Sequence, residues 1–351
     1  MKQKLYMSIS TFQFWNRSFG WGVFTVALLT FSLTVEPTAS FWDAGEYIAT
    51  AAKLQVGHPP GAPLFQMMGA FFALFSTSPE NIALMVNYMS VFSSAFAVLF
   101  LFWTLTLLMK KLPVFQSLNN NSKRLAFFGS AAVGALAFCF SDSFWFNAVE
   151  AEVYAMATFI LSLLFWLGLR WEQDMNTPRG DRWLLLISFI IGLSFGVHFM
   201  GLLTIPAIGM IYYFKNTPKV TIKSFVLANV ISVAILLFIF KLLLPTTLAF
   251  FGNSEVFFVN KIGLPFNSGT LIAALCFVLF FNYSLRYTQR QKWINFNTGI
   301  LCVLFVLVGF SSWLMIPIRS NANTVINENS PSDARTLLAY YNLEQYPETH
   351  L

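Results

Sequence analysis

Two pairs of carboxylates carry the clearest chemical potential in this chain. Residues 36–47 read Glu-Pro-Thr-Ala-Ser-Phe-Trp-Asp-Ala-Gly-Glu-Tyr, with Asp43 and Glu46 three positions apart. On a helix over 41–54 that spacing puts both acids on one face, which Thr50 and Lys53 continue. Neighbouring carboxylates split their pKa values, so that one is raised while the other stays ionised. Such a pair can take a proton from a hydroxyl or hold a metal ion. A structural role fits the same residues. Ser40-Phe41-Trp42-Asp43 matches a capping box with Ser40 as N-cap, and acids favour helix N-termini. The two roles are compatible, because a capped helix fixes the side chains it carries.

The second pair is Glu150 and Glu152, which lead into an apolar run beginning at Val153. Carboxylates at the edge of hydrocarbon are costly and usually functional; the alternative reading is that both face water. Hard oxygen ligands suit Mg²⁺ or Mn²⁺, so these two are the candidate metal ligands. His58 precedes Pro59-Pro60, an extended entry into the next helix; it is either a turn residue or a substrate contact. His198, in Gly196-Val197-His198-Phe199, suits a histidine hydrogen-bonded to backbone. Arg319 follows the last apolar run. Its guanidinium can fork onto a phosphate or snorkel to the interface. Asp43 and Glu46 are thus the catalytic candidates, and Trp42, Lys53, His58, His198 and Arg319 the candidate substrate contacts. The chain has neither a Walker loop nor a Gly-x-Gly-x-x-Gly that follows a strand.

The elements that must position these residues are membrane helices. Hydrophobic residues make up 57% of 351, charged residues 10%, and mean hydropathy is +0.65. Soluble domains carry about 25% charge, so lipid must cover most of this surface. Apolar runs fall at 20–35, 80–109, 125–141, 153–169, 183–197, 199–214, 221–243, 269–285 and 295–317. These predict about nine spans, plus a half-inserted helix at 62–77 after Pro59-Pro60-Gly61. The runs 183–197 and 199–214 are too short for perpendicular crossings and are expected to meet at a turn near His198. The first run reads as an uncleaved signal anchor. Cys139, Cys276 and Cys302 sit in apolar runs with no ligand spacing.

The net charge of +6 does not signal nucleic acid, because Lys and Arg cluster between apolar runs and form no aromatic-interleaved stripe. The clusters are topology signals. With the N-terminus cytoplasmic, basic residues from Lys2 and Lys4 to Arg286, Arg290 and Lys292 gather inside. Lys53, Lys241, Lys261, Arg319 and Arg335 fall outside. Among the acids, Glu172, Asp174 and Asp181 are inner and the rest outer. Residues 1–319 therefore read as a transmembrane domain. Residues 320–351 read as an extracytoplasmic polar tail, the start of a truncated soluble region.

The order of these features resembles the GT-C glycosyltransferase superfamily: a span, an acidic interfacial helix, His-Pro-Pro, a half-helix, a span and a second acidic loop. More narrowly, Phe41-Trp42-Asp43-Ala44-Gly45-Glu46-Tyr47, Val56 to Leu64, Glu150-Ala151-Glu152-Val153-Tyr154, Gly196-Val197-His198 and Tyr340 to Tyr346 resemble the domain-of-unknown-function 2723 family. That family includes glycosyltransferase family 117 and animal protein O-mannosyltransferases. The resemblance implies an all-α, GT-C-like helix bundle with an interfacial helix in its first outer loop. It implies Asp43 as general base, with Glu46 as the alternative, and inversion at the anomeric carbon. It implies a polyprenyl-phosphate sugar donor, while a divalent cation at Glu150 and Glu152 stays open. The resemblance also implies a sizeable soluble domain, of which residues 320–351 are expected to be the start.

The expected activity is transfer of a sugar from that lipid donor to an extracytoplasmic protein or glycan, foremost to Ser or Thr hydroxyls. The expected location is a bacterial inner membrane, with the active site on the periplasmic side and no nucleic acid among the partners. A transporter or lipid flippase is the rival from another class, and a non-catalytic envelope scaffold is the third reading. The acids here cluster at loop ends, whereas transporters place ionisable residues at the midplane of repeated halves.

Overall fold

The computed structural model describes residues 9–115, 118 and 120–347. Lys2, Lys4 and residues 348–351 of the expected tail lie outside the described residues. The chain is an all-α, multi-pass integral membrane protein, with no strand among the described residues. Its first helices are α1 (Ile9–Leu33), α2 (Ala44–Lys53), α3 (Pro63–Ala73), α4 (Ile82–Met109), α5 (Asn121–Cys139), α6 (Asp142–Ala148) and α7 (Val153–Asp174). Then follow α8 (Asp181–Ser194), α9 (Thr204–Asn216), α10 (Ile222–Leu237), α11 (Leu244–Val256), α12 (Ser268–Arg290), α13 (Ile294–Phe310), α14 (Met315–Ser320) and α15 (Ala334–Tyr341).

Among the described residues, five helical stretches are long and apolar enough to cross a bilayer: Pro79–Met109, Val153–Asp174, Ile222–Lys261, Ser268–Arg290 and Ile294–Ser320. A sixth arises if α5 and α6, bent by 70° at their junction, form one broken span. Within the stretch 62–77, expected as a half-inserted helix, lies the short apolar α3, 11 residues long. The expected turn near His198 is the 3-10 segment Phe199–Leu203 between α8 and α9.

The chain divides into two compact units. One takes in the chain up to Ile48 and Met68–Gln173; the other holds Ala49–Met67 and the chain from Asp174 on. In the first unit, α1, α4 and α5 enclose a core of Ala27, Phe31, Ala95, Leu99, Phe102, Phe127, Phe128 and Ala131. Asn87 of α4, fully buried, reaches out of this core. Its amide donates to the carbonyls of Glu36 (2.6 Å) and Thr38 (2.9 Å). Those bonds hold the loop that leads to Asp43.

In the second unit, α8 and α13 meet at Gly192 and Gly309. A Cβ on either glycine would collide with the opposing backbone, the close approach typical of small residues between membrane helices. The run expected to end at 243 continues helically through Ile222–Lys261. Two π segments, Phe238–Leu243 and Phe257–Lys261, lie within it. The first is followed by Pro245 near the start of α11. A π turn shifts the hydrogen-bond register, which accommodates a proline that lacks an N–H. Little of its most apolar part is buried, so side chains such as Val226, Leu227, Val230 and Ile231 are exposed to lipid. Glu255 near its end is buried and accepts from the Asn267 and Thr270 amides (2.6 and 2.7 Å) and the Thr270 hydroxyl (2.9 Å). It caps the N-terminus of α12 from outside the helix.

Candidate active site

The acidic cluster of the first unit is built from two loops that are tied together. The amide of Glu36 donates to the Val149 carbonyl (2.9 Å), and the Trp145 indole donates to the Thr34 hydroxyl (2.9 Å). Trp42 then takes a left-handed conformation, φ +63°, which a bulky residue rarely adopts. This kink stops a helix from starting at Phe41. α2 begins at Ala44, with the Asp43 carbonyl accepting from the Tyr47 amide at 2.9 Å. Asp43 therefore stands at the N-terminal boundary of α2, and the capping box expected with Ser40 as N-cap is displaced. Ser40 instead sits beside Glu150. Trp42 is 86% exposed, Asp43 is exposed, and Glu46 lies half-buried in the first turn of α2.

Glu152 is the buried centre of this cluster, 6% exposed. The backbone N–H groups of Asp43 and Val153 donate to its carboxylate, while Oε1 has no hydrogen-bond partner among the described residues. Burial, then the charges of Asp43 and Glu150, push its pKa up to about 7, against the pull of the two N–H groups. Glu150 is buried too. Burial foremost, with Glu36, raises its pKa, and the Ser40 hydroxyl opposes the shift. The Tyr47 phenol is pushed far above its ordinary range by burial and then by Glu152, Asp43, Glu46 and Tyr154. Tyr47 thus remains a hydroxyl donor at any physiological pH.

The arrangement brings together Asp43, Tyr47 and Glu152, with the charges of Glu46 and Glu150 also felt. It can accept a proton at an exposed carboxylate held next to a second carboxyl that titrates near neutrality. Among the described residues, no group of three or more His, Cys, Asp or Glu is arranged to hold a metal ion. Two carboxylates alone make a thin ligand set for Mg²⁺ or Mn²⁺.

The remaining candidates belong to the second unit. Lys53 ends α2, exposed. Arg319 is turned to the end of that helix: its Nε donates to the Leu54 carbonyl (2.5 Å) and Nη2 to the Lys53 carbonyl (3.2 Å). A guanidinium at a helix C-terminus satisfies orphan carbonyls and complements the dipole. His58, half-buried, opens a turn in which the Gly61 amide donates to its carbonyl (2.7 Å). His198 caps the 3-10 segment that follows it, its Nδ1 accepting from the Met200 amide (3.2 Å).

The chain beyond Arg319 packs against the His58 loop. Val56 forms an isolated parallel bridge with Asn327. The Gln55 side chain accepts from the Ile326 amide (2.8 Å), and the Tyr340 hydroxyl donates to the Gly57 carbonyl (2.5 Å). Sequence reasoning assigned no role to Tyr47, Asn87 or Tyr340. Two signals were available: Tyr47 lies four residues after Asp43, and Asn87 is an amide inside an apolar run.

The profile of the TMEM260 protein O-mannosyl-transferase N-terminal domain matches residues 43–221. The chain belongs to that family. The matched stretch starts at Asp43 and takes in Glu46, Lys53, His58, Glu150, Glu152 and His198, but not Arg319. Among curated relatives, the TMEM260 protein O-mannosyl-transferase of Dictyostelium discoideum is 27% identical over 196 residues, 52% of this chain. The protein of the same name from Mus musculus is 31% identical over 176 residues, 49% of this chain. Each match spans 22% of the relative's length. No solved structure matches the chain.

Proposed function

We propose that this TMEM260-family chain is the membrane domain of a glycosyltransferase that mannosylates protein Ser or Thr hydroxyls from a polyprenyl-phosphate sugar. The reading takes the fold as GT-C and the grouping as the domain-of-unknown-function 2723 family, glycosyltransferase family 117. The relatives' name supports the reaction class. The observation that carries the site is the contact between the Asp43 amide and the buried carboxylate of Glu152, at the start of the matched region.

The acceptor oxygen attacks the anomeric carbon of the donor sugar from the side opposite the phosphate, and the carbon–oxygen bond to the phosphate breaks. The polyprenyl phosphate leaves with the electron pair, and the sugar is inverted. Asp43 takes the acceptor proton, a contribution of about 10²–10⁴-fold, with Glu46 the alternative base. Glu152 holds the Asp43 backbone in place. As a neutral acid below about pH 7, it spares Asp43 a second negative charge. Trp42, Lys53, His58 and His198 are the proposed substrate contacts. Arg319 acts on the donor phosphate through whichever N–H groups its bonds to Leu54 and Lys53 leave.

The proposed setting is a bacterial inner membrane with the N-terminus cytoplasmic and the acidic loops on the periplasmic face. Residues 1–319 form the transmembrane domain and 320–351 an extracytoplasmic tail. Membranes containing the chain, given polyprenyl-phosphate [³H]mannose and a Ser/Thr-rich peptide, are expected to label the peptide at hydroxyl oxygen. Labelling no greater than in membranes lacking the chain, with the protein present and folded, contradicts the assignment.

A further inference from the structure

The last turns of α12 carry residues that the proposed reaction leaves unused. Asn282, Arg286 and Arg290 recur at every fourth position, which places them along one helix face. Tyr283 and Tyr287 run beside them with stacked rings, 5.9 Å between centroids at 17°. Together with Leu279 these side chains line a groove of about 440 Å³. Tyr287 also meets Trp293 edge-on at 5.9 Å.

The charge here is uncompensated. Both arginines are exposed, and neither has a hydrogen-bond or ion-pair partner among the described residues. No Asp or Glu occurs between Glu255 and Glu328. Asp181 of α8 reaches α13 through the Thr298 hydroxyl (3.1 Å) and pairs with neither arginine. Arg182 in the same unit is different: its guanidinium is held by Asp174 at 3.2 Å. Snorkelling alone predicts exposed cations at a span's end. It does not predict two forks and an amide lining one groove beside stacked tyrosines.

We propose that this groove binds the headgroup of an anionic phospholipid. The phosphate would lie between the two guanidinium forks and the Asn282 amide. The tyrosine hydroxyls stand at headgroup depth, as interfacial aromatics do. Leu275, Val278 and Leu279, all exposed on the same helix, continue the track for an acyl chain. That apolar track selects a lipid over a free anion.

The test is native mass spectrometry of the full chain released from nanodiscs of mixed phosphatidylcholine and phosphatidylglycerol. Wild type is expected to retain phosphatidylglycerol selectively. The double variant Arg286→Gln/Arg290→Gln should lose about tenfold or more in that occupancy, because both charged forks are removed. Arg182→Gln should behave as wild type and reports on general charge loss. Thermal unfolding of each variant separates lost binding from lost fold; if the double variant is unfolded, Arg286→Lys/Arg290→Lys is measured in its place and should lose selectivity through loss of the forks. Equal retention by wild type and a folded variant overturns the proposal. So does displacement of the lipid by inorganic phosphate, which would mark a free-anion site.

Discussion

The backbone N–H of Asp43 donates to the carboxylate of Glu152, joining residues more than a hundred positions apart. The bond sets the exposed acid at the head of α2 against the buried acid at the head of α7. It lets one loop sense the protonation of the other.

Glu152 should titrate near neutrality. Its pKa is raised from 4.5 to about 7, so the folded protein binds the proton more tightly than the unfolded chain does. The stabilisation is full below about 4.5 and is lost as pH rises through about 7. Infrared difference spectra should show a carboxylic C=O band that disappears over that range and is absent in Glu152→Gln. The same variant should flatten the pH dependence of the melting temperature between those limits. A band that persists in the variant assigns the titration elsewhere.

Asn87→Leu should loosen the first loop. It removes two hydrogen bonds to the Glu36 and Thr38 carbonyls, at about 0.5–1.5 kcal/mol each. Hydrogen exchange at 36–43 should speed up while the amides of α4 stay protected. Unchanged exchange would show that the loop holds itself.

Gly61→Ala should be destabilising by about 1–2 kcal/mol or more. Gly61 has φ +74°, a region costly for residues with a Cβ, and that Cβ would lie 2.5 Å from the Tyr340 hydroxyl oxygen. Tyr340→Phe should cost less, about 0.5–1.5 kcal/mol for one hydrogen bond. It should also raise the proteolytic susceptibility of 54–61. The order of the two melting temperatures checks the packing of the segment after Arg319 on the His58 loop.

Gly309→Leu should disrupt the α8–α13 contact, because the opposing Phe189 and Leu193 backbone atoms cannot retreat like side chains. The expected cost is about 1–3 kcal/mol for overpacking, read as a lower unfolding temperature in detergent. A wild-type value would mean the two helices part freely there.

Much of this was legible in the sequence because lipid imposes a simple rule. Apolar runs had to become helices, and sparse acids fell at their ends. Asp43, Glu46, Glu150 and Glu152 stood out for that reason. What was hidden depends on backbone geometry and on distant partners. Nothing in Phe41-Trp42-Asp43 announces that Trp42 turns left-handed and delays α2 to Ala44. The apolar run reads as ending at 243, beside Lys241, yet a π turn carries the helix on through Ile222–Lys261. Arg319 looked like a phosphate fork, but its nearest acceptors are the Lys53 and Leu54 carbonyls, some 265 positions earlier in the chain. Tyr340 belonged to a familiar motif without a role until its hydroxyl was placed on Gly57.

The central claim is that Asp43 is the base and Glu152 its support. It is tested by single-turnover transfer of mannose from the lipid donor by wild type, Asp43→Asn and Glu152→Gln, with folding verified for each. Asp43→Asn should fall by about 10²-fold or more, while Glu152→Gln keeps measurable transfer with an altered pH profile. Wild-type rates in Asp43→Asn, with the protein folded in the membrane, would contradict the account.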